Sequence, residues 1–164
     1  APLELYRAPE KLIYRFINRQ LVFAYDDRQR LTLNSCNVVI PHIPGLDMRY
    51  IMAILNSRVA QYIYEKRYNA VKVLRSHIEN IPVPVADEET QRRIISKTEE
   101  LMAEELITES SVNSEMQTYK TGKDHLQRYR LYEEIDDIVR KLYSVTDEEY
   151  EFIKQSLSGD KYML

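Results

Sequence analysis

Across residues 46–84, apolar side chains recur at Met48, Ile51, Ile54, Leu55, Val59, Tyr62 and Ile63, the spacing of one helical face. Asn56-Ser57 interrupts that run, and Asp47 and Ser57 are of the types that cap helix starts. The pattern therefore predicts two successive helices. Residues 71–74 are β-branched enough to predict a short strand. Pro82 and Pro84 each remove a backbone donor and fix a φ angle, so 81–85 is expected to be extended and to close the unit. Upstream, 11–17 and 21–25 are two apolar-rich runs separated by Asn18-Arg19-Gln20, which predicts a hairpin with a three-residue loop. Residues 26–30 form a charged turn, and 31–40 a third strand with Asn34-Ser35 as a bulge. Residues 41–45 have the Pro and Gly content of a loop.

Beyond Val85 the period changes. Ile94, Ile95, Leu101, Met102, Leu106 and Ile107 predict a helix over 87–107. Apolar residues then lose their period over 108–124, where Ser, Thr, Glu and Lys dominate, which predicts a loop. Leu131, Ile135, Ile138, Val139 and Leu142 mark a further helix over 125–143. Thr146-Asp147-Glu148-Glu149 has the form of a capping box and opens a last helix through Leu157. The expected fold class is α+β. Residues 1–85 would form a small mixed sheet with two helices. Residues 86–164 would form a helical hairpin or small bundle, packing on that unit or on a partner domain.

Composition refines this picture. The 164 residues are 44% apolar, enough for one domain with a core. Thirteen tyrosines favour half-buried positions with a polar tip at the surface. The single cysteine, Cys36, forms no internal disulfide, which suits a reducing, cytoplasmic setting. No apolar run approaches a membrane span. The Ala-Pro start suggests a segment of a longer polypeptide. The net charge of −3 hides an asymmetry. Residues 1–80 hold twelve Lys and Arg against seven Asp and Glu, while 81–164 hold eleven against nineteen. A basic half joined to an acidic one suits a polyanion-binding module with a solvated helical appendage.

Chemistry-bearing motifs are missing. The three glycines, Gly45, Gly122 and Gly159, make no nucleotide-binding turn. No Lys has Asp or Glu two positions before it, the spacing of a common nuclease centre. His42, His77 and His125 lack neighbours at zinc spacing. Cys36 falls in a predicted strand and suits packing. No catalytic centre and no metal site are expected in this chain.

A polyanion surface needs cations for phosphates, and Arg, Asn or Gln for base edges. The first half supplies these in three groups: Arg15, Asn18, Arg19 and Gln20; Arg28, Gln29, Arg30 and Asn34; Lys66, Arg67, Lys72 and Arg75. The triplets 18–20 and 28–30 each set guanidinium beside carboxamide at a turn. Asp26 and Asp27 point to opposite faces of a strand, so they are expected to serve the turn or to pair with Arg28 or Arg30. Tyr62 is expected on the core face, leaving Tyr64 and Tyr68 as candidates to stack on a displaced base.

Several stretches taken together carry a resemblance: LVFAYDD at 21–27, LTLNS at 31–35, YIMAILNS at 50–57, KVLRSHIENIPVP at 72–84, and a helix opening at Thr90-Gln91. IDDIVRKLYSVTDEEYEFI at 135–153 continues it more weakly. In order and spacing they resemble the TaqI-like C-terminal specificity (target-recognition) domain of type II restriction–modification adenine methyltransferases. The resemblance spans about residues 6–157, with the middle of the C-terminal half unmatched. It implies double-stranded DNA and the methyltransferase domain of the same polypeptide as partners. It places S-adenosylmethionine in the parent's catalytic domain, with none bound here, and leaves open a fused endonuclease. The family's catalytic Asn/Asp-Pro-Pro-aromatic tetrapeptide has no counterpart, since the chain has no Pro-Pro pair. Two alternatives stay open. One is half of a type I restriction specificity subunit, favoured by a continuous helix through 108–124. The other is a protein-interaction module without a nucleic-acid role.

Overall fold

The computed structural model describes residues 3–32, 35–112 and 121–159. A short helix α1 (Leu3–Tyr6) precedes three strands, β1 (Lys11–Arg15), β2 (Phe23–Asp26) and β3 (Cys36–Val39). Helices α2 (Met48–Leu55), α3 (Arg58–Tyr68) and α4 (Arg75–Glu79) follow. Two long helices, α5 (Glu88–Val112) and α6 (Thr121–Leu142), precede α7 (Asp147–Ser156). This is an α+β fold. The sheet order is β2-β1-β3, and both ladders are antiparallel where a mixed sheet was expected.

The strands are shorter than their apolar runs. Phe16 and Ile17 leave the ladder: the Phe16 carbonyl accepts from Val73 N at 2.9 Å, and Ile17 bridges to Lys72. The hairpin loop is therefore 16–22, not the three residues 18–20. Residues 71–74 supply only that one bridge instead of a strand. Leu12, Tyr14 and Phe23 share the buried face, with the Tyr14 and Phe23 rings 5.5 Å apart. Against them packs α2, which buries six of its eight residues. The caps form as expected: Asp47 accepts from Arg49 N, Ser57 from Ala60 N, and Thr146 closes a capping box with Glu149. A β-turn at 43–46, closed by Leu46 N to Ile43 O at 3.2 Å, puts Gly45 at φ +79°, where a side chain would be strained. Among the described residues no helix is long and apolar enough to cross a membrane.

Helices α5 and α6 run antiparallel, joined by Lys97–Glu134 and Gln127–Glu100 contacts. Helix persists to Val112 and resumes at Thr121, within the stretch expected to be a loop; 113–120 lie outside the described residues. Losing the apolar stripe removes a packing signal, yet propagation from an existing helix costs little. Leu131, Ile135 and Val139 of α6 join Ile94 and Leu101 of α5 in one core with the α2 side chains.

Arg58, 3% exposed, is the polar centre of the helical packing. Its backbone N donates to Asp136 Oδ1 at 2.9 Å, Nη1 to Asp136 Oδ2 at 3.3 Å and to the Tyr150 hydroxyl at 3.0 Å, and Nη2 to Glu133 at 2.6 Å. The Tyr150 hydroxyl donates to Asp136 as well. Burial opposes the Arg58 charge, but Glu133, Asp136 and Tyr150 outweigh it and hold its pKa above the ordinary value. Burial first, then the Asp136 charge, pushes the Tyr150 hydroxyl up. Arg58→Ala leaves Asp136 buried without its counter-ion, so a loss of about 3–5 kcal/mol is expected in urea unfolding. Tyr150→Phe, which removes only a hydroxyl, is expected to cost about 1–2 kcal/mol by the same measurement.

Candidate functional site

The loop 16–22 is built onto α3 and onto the segment before α4. Asn18 N donates to Val71 O at 3.0 Å, beside the Ile17–Lys72 bridge. Gln61, 1% exposed, accepts from Leu21 N at 2.7 Å and donates to Arg19 O at 3.0 Å. Asn56 does the same one element earlier, accepting from Phe23 N at 2.8 Å and donating to Phe23 O at 2.9 Å. Asn56 thus satisfies part of the edge that β2 turns away from β1, as a fourth strand would, and Gln61 does so for the loop leading into it. Composition gave no sign of this role, because an Asn and a Gln on helices look like solvated residues until their neighbours are known.

These bonds bring Arg15, Asn18, Arg19, Gln20 and Lys72 to one end of the sheet. Arg15 and Arg19 are exposed and make no ion pair among the described residues. Asn18 spends its Oδ1 on Gln20 N at 3.3 Å, which shapes the turn. Gln20 sits by the chain after α7, its Nε2 3.6 Å from where a Cβ on Gly159 would stand. Lys72 lies over the Phe16 ring and Lys66 over the Tyr62 ring. Arg67 donates to Asn80 O at 2.9 Å, and Arg75 pairs with Glu79 at 2.6 Å. From Lys66 to Ile78 the chain carries four Lys and Arg and no Asp or Glu.

The second triplet lies elsewhere. Register pairs Lys11 with Asp26 and Tyr14 with Phe23, so the 27–30 turn leaves the sheet at the opposite end from 16–22. The two ends are roughly 13 Å apart along β1, four strand steps. The turn is organised by Asp26, whose carboxylate accepts from Arg28 N at 3.3 Å and Arg30 N at 3.0 Å. Gln29, at its apex, is exposed with φ +53°. Arg28 is exposed and unpaired among the described residues, and Arg30 reaches Asp26 only at 3.9 Å. Asn34 lies outside the described residues.

The chief partner of Asp26 is Lys11, expected neither by spacing nor by charge. The two are 1% and 0% exposed and form a buried ion pair. Burial works against the Asp26 charge. The bonds from Lys11 and from the Arg30 and Arg28 amides outweigh it, leaving its pKa below the ordinary value. Tyr64 also departs from expectation. It is 1% exposed and donates to Ala70 O at 3.1 Å, whereas Tyr62 is half-buried and meets Phe152 edge-on. The interruption at Asn56-Ser57 resets the helical phase, so α3 turns Tyr64 inward. Tyr68, half-buried, stacks on His77 at 4.1 Å. Among the described residues no three metal-ligating side chains gather. An apolar cavity of about 430 Å³ follows β3 and α2, with Val38, Ile51, Leu55 and Ile78 in its lining.

A family model described as the TaqI-like C-terminal specificity domain matches residues 1–83, half of the chain. The chain belongs to this family. The matched span includes both cationic turns, the Lys11–Asp26 pair, and α2 to α4. A specificity domain has a recognition role within a methyltransferase, and the rigidly seated loops described above suit that role. No curated protein matches the chain.

Because the folded Asp26 pKa is lowered, its stabilising contribution is complete above the unfolded value of about 3.9 and fades as pH falls toward the folded one. Asp26→Asn strands the buried Lys11 ammonium. It is expected to cost about 3 kcal/mol or more at neutral pH, and to flatten stability below pH 4 in denaturant titrations.

Proposed function

We propose that this chain is the DNA target-recognition domain of a bacterial restriction–modification adenine-specific methyltransferase. Its work is to hold duplex DNA and select a short site. The catalytic domain of the same polypeptide, carrying S-adenosylmethionine, would flip out and methylate the adenine. The observation that supports this most directly is the corner where loop 16–22 meets residues 66–75. There the Ile17–Lys72 bridge and the Asn18–Val71 bond set Arg15, Arg19 and Lys72 at one end of the sheet; the segment of Lys72 also carries Lys66 and Arg67 and no acidic residue over 66–78, while Glu65 is engaged by Gln61 and Ser158. Cations in such a run neutralise successive phosphates. Carboxamides beside them suit base edges. The 27–30 turn, at the far end of β1, would make a second, separate contact. The long-helix alternative, half of a type I specificity subunit, turns on a stretch of which 113–120 lie outside the described residues.

Arg19→Ala is expected to weaken binding to the selected site more than binding to mixed-sequence duplex, in a fluorescence titration across a salt series. Lys72→Ala is expected to weaken both alike and to lower the salt slope by about 1. Equal loss on both duplexes for Arg19→Ala would reduce that residue to a phosphate contact. Binding that ignores salt would remove the DNA reading altogether.

A further inference from the structure

Within that same cationic corner, and resting on the DNA reading, one carboxamide stands apart. Asn69 follows α3 at φ +38° and ψ +41°, in the left-handed region, and is exposed. Among the described residues its side chain has no hydrogen-bond partner. The backbone around it is pinned on both sides. Before it, Tyr68 stacks on His77 with the rings 19° from parallel. After it, Ala70 O accepts from the buried Tyr64 hydroxyl at 3.1 Å, Val71 O from Asn18 N at 3.0 Å, and Val73 N donates to Phe16 O at 2.9 Å. Arg67 and Lys72 flank it. A carboxamide with no internal hydrogen bond to break, carried on a fixed backbone, gives up less on meeting a ligand than one on a mobile loop. Asn18, by contrast, has already committed its Oδ1 to its own turn.

We infer that Asn69 is a specificity-determining residue that reads a purine edge in the major groove. Its amide N–H donates to an adenine N7 while its Oδ1 accepts from the N6 amino group, and Arg67 and Lys72 hold the adjoining phosphates. The carboxamide matches adenine in donor and acceptor order and mismatches guanine, which presents two acceptors there.

Asn also suits a left-handed helix end for purely structural reasons, and glycine suits it better. Asn69→Gly therefore keeps the backbone and deletes only the reader. The wild-type chain is used to select duplexes from a library with a randomised centre. Wild type and Asn69→Gly are then titrated against the selected duplex and against mixed-sequence duplex at one salt concentration, with thermal unfolding run alongside. The expected result is an unchanged or raised Tm, unchanged mixed-sequence binding, and a loss on the selected duplex of roughly tenfold to a hundredfold. Repeating the selection with Asn69→Gly should relax the preference for adenine at one position. Asn69→Asp, which removes the N–H donor, should lose site binding at least as strongly. If Asn69→Gly selects the same sequence with the same affinity, the inference is overturned while the DNA reading stands. If the wild type enriches no sequence, both fall together.

Discussion

Everything in this molecule is hung from the first turns of α3, where polar groups are buried and must be satisfied from several directions at once. Arg58 sends its guanidinium to Glu133, Asp136 and Tyr150, fixing α6 and α7. One turn on, Gln61 bonds Leu21 and the Arg19 carbonyl, and also Glu65, which in turn receives Ser158. A buried polar group without partners costs more than the bond itself gains. Moving the 19–21 loop or α6 away would break these bonds, so the loop geometry is coupled to the helical packing through one short helix. The cationic loop is thereby held by the scaffold, although its tip faces water.

The distribution of unpaired charge follows from the same division. Arg49, Arg58 and Arg140 are engaged by carboxylates within the helical packing. Arg15, Arg19 and Arg28 have no such partner among the described residues; Arg15 ends β1, and Arg19 and Arg28 sit on turns carried by the sheet. Cations set apart from carboxylates on a rigid support are available to phosphate without first breaking an internal pair. The sheet also separates them into two groups at opposite ends of β1, so a ligand touching both must be extended rather than compact. The buried Lys11–Asp26 pair belongs to this arrangement. Its carboxylate fixes the 27–30 turn through two amides, which holds Gln29 in a backbone conformation it would otherwise avoid.

What was legible in the sequence was local. Asp47, Ser57 and Thr146 act within three residues of themselves, and the helix starts they mark are where the structure has them. The apolar periods of α2, α5 and α6 point to the right faces, because a period of 3.6 needs no knowledge of the partner. Most of the failures are long-range. Phe16 and Ile17 look like hairpin residues until residues 71–73 arrive to pair with them. Lys11 looks solvated until register sets it against Asp26. Tyr64 looks free when the period of α2 is carried across the break at residue 56, because α3 packs in a different phase. The polar stretch after residue 107 looks like a loop, although 108–112 and 121–124 are helical without an apolar stripe. Of the candidate side chains, the structure brings those at 15–20 to Lys72 and sets 28–30 at the other end of β1; spacing alone could not have divided them.

The most direct measurement of the central claim is amide hydrogen exchange of the chain at low salt, with and without an excess of mixed-sequence duplex DNA. Slowed exchange at residues 15–22, 27–30 and 66–75, with α5 to α7 unchanged, is the predicted result. Slowing confined to α5 to α7, or none anywhere, would contradict it.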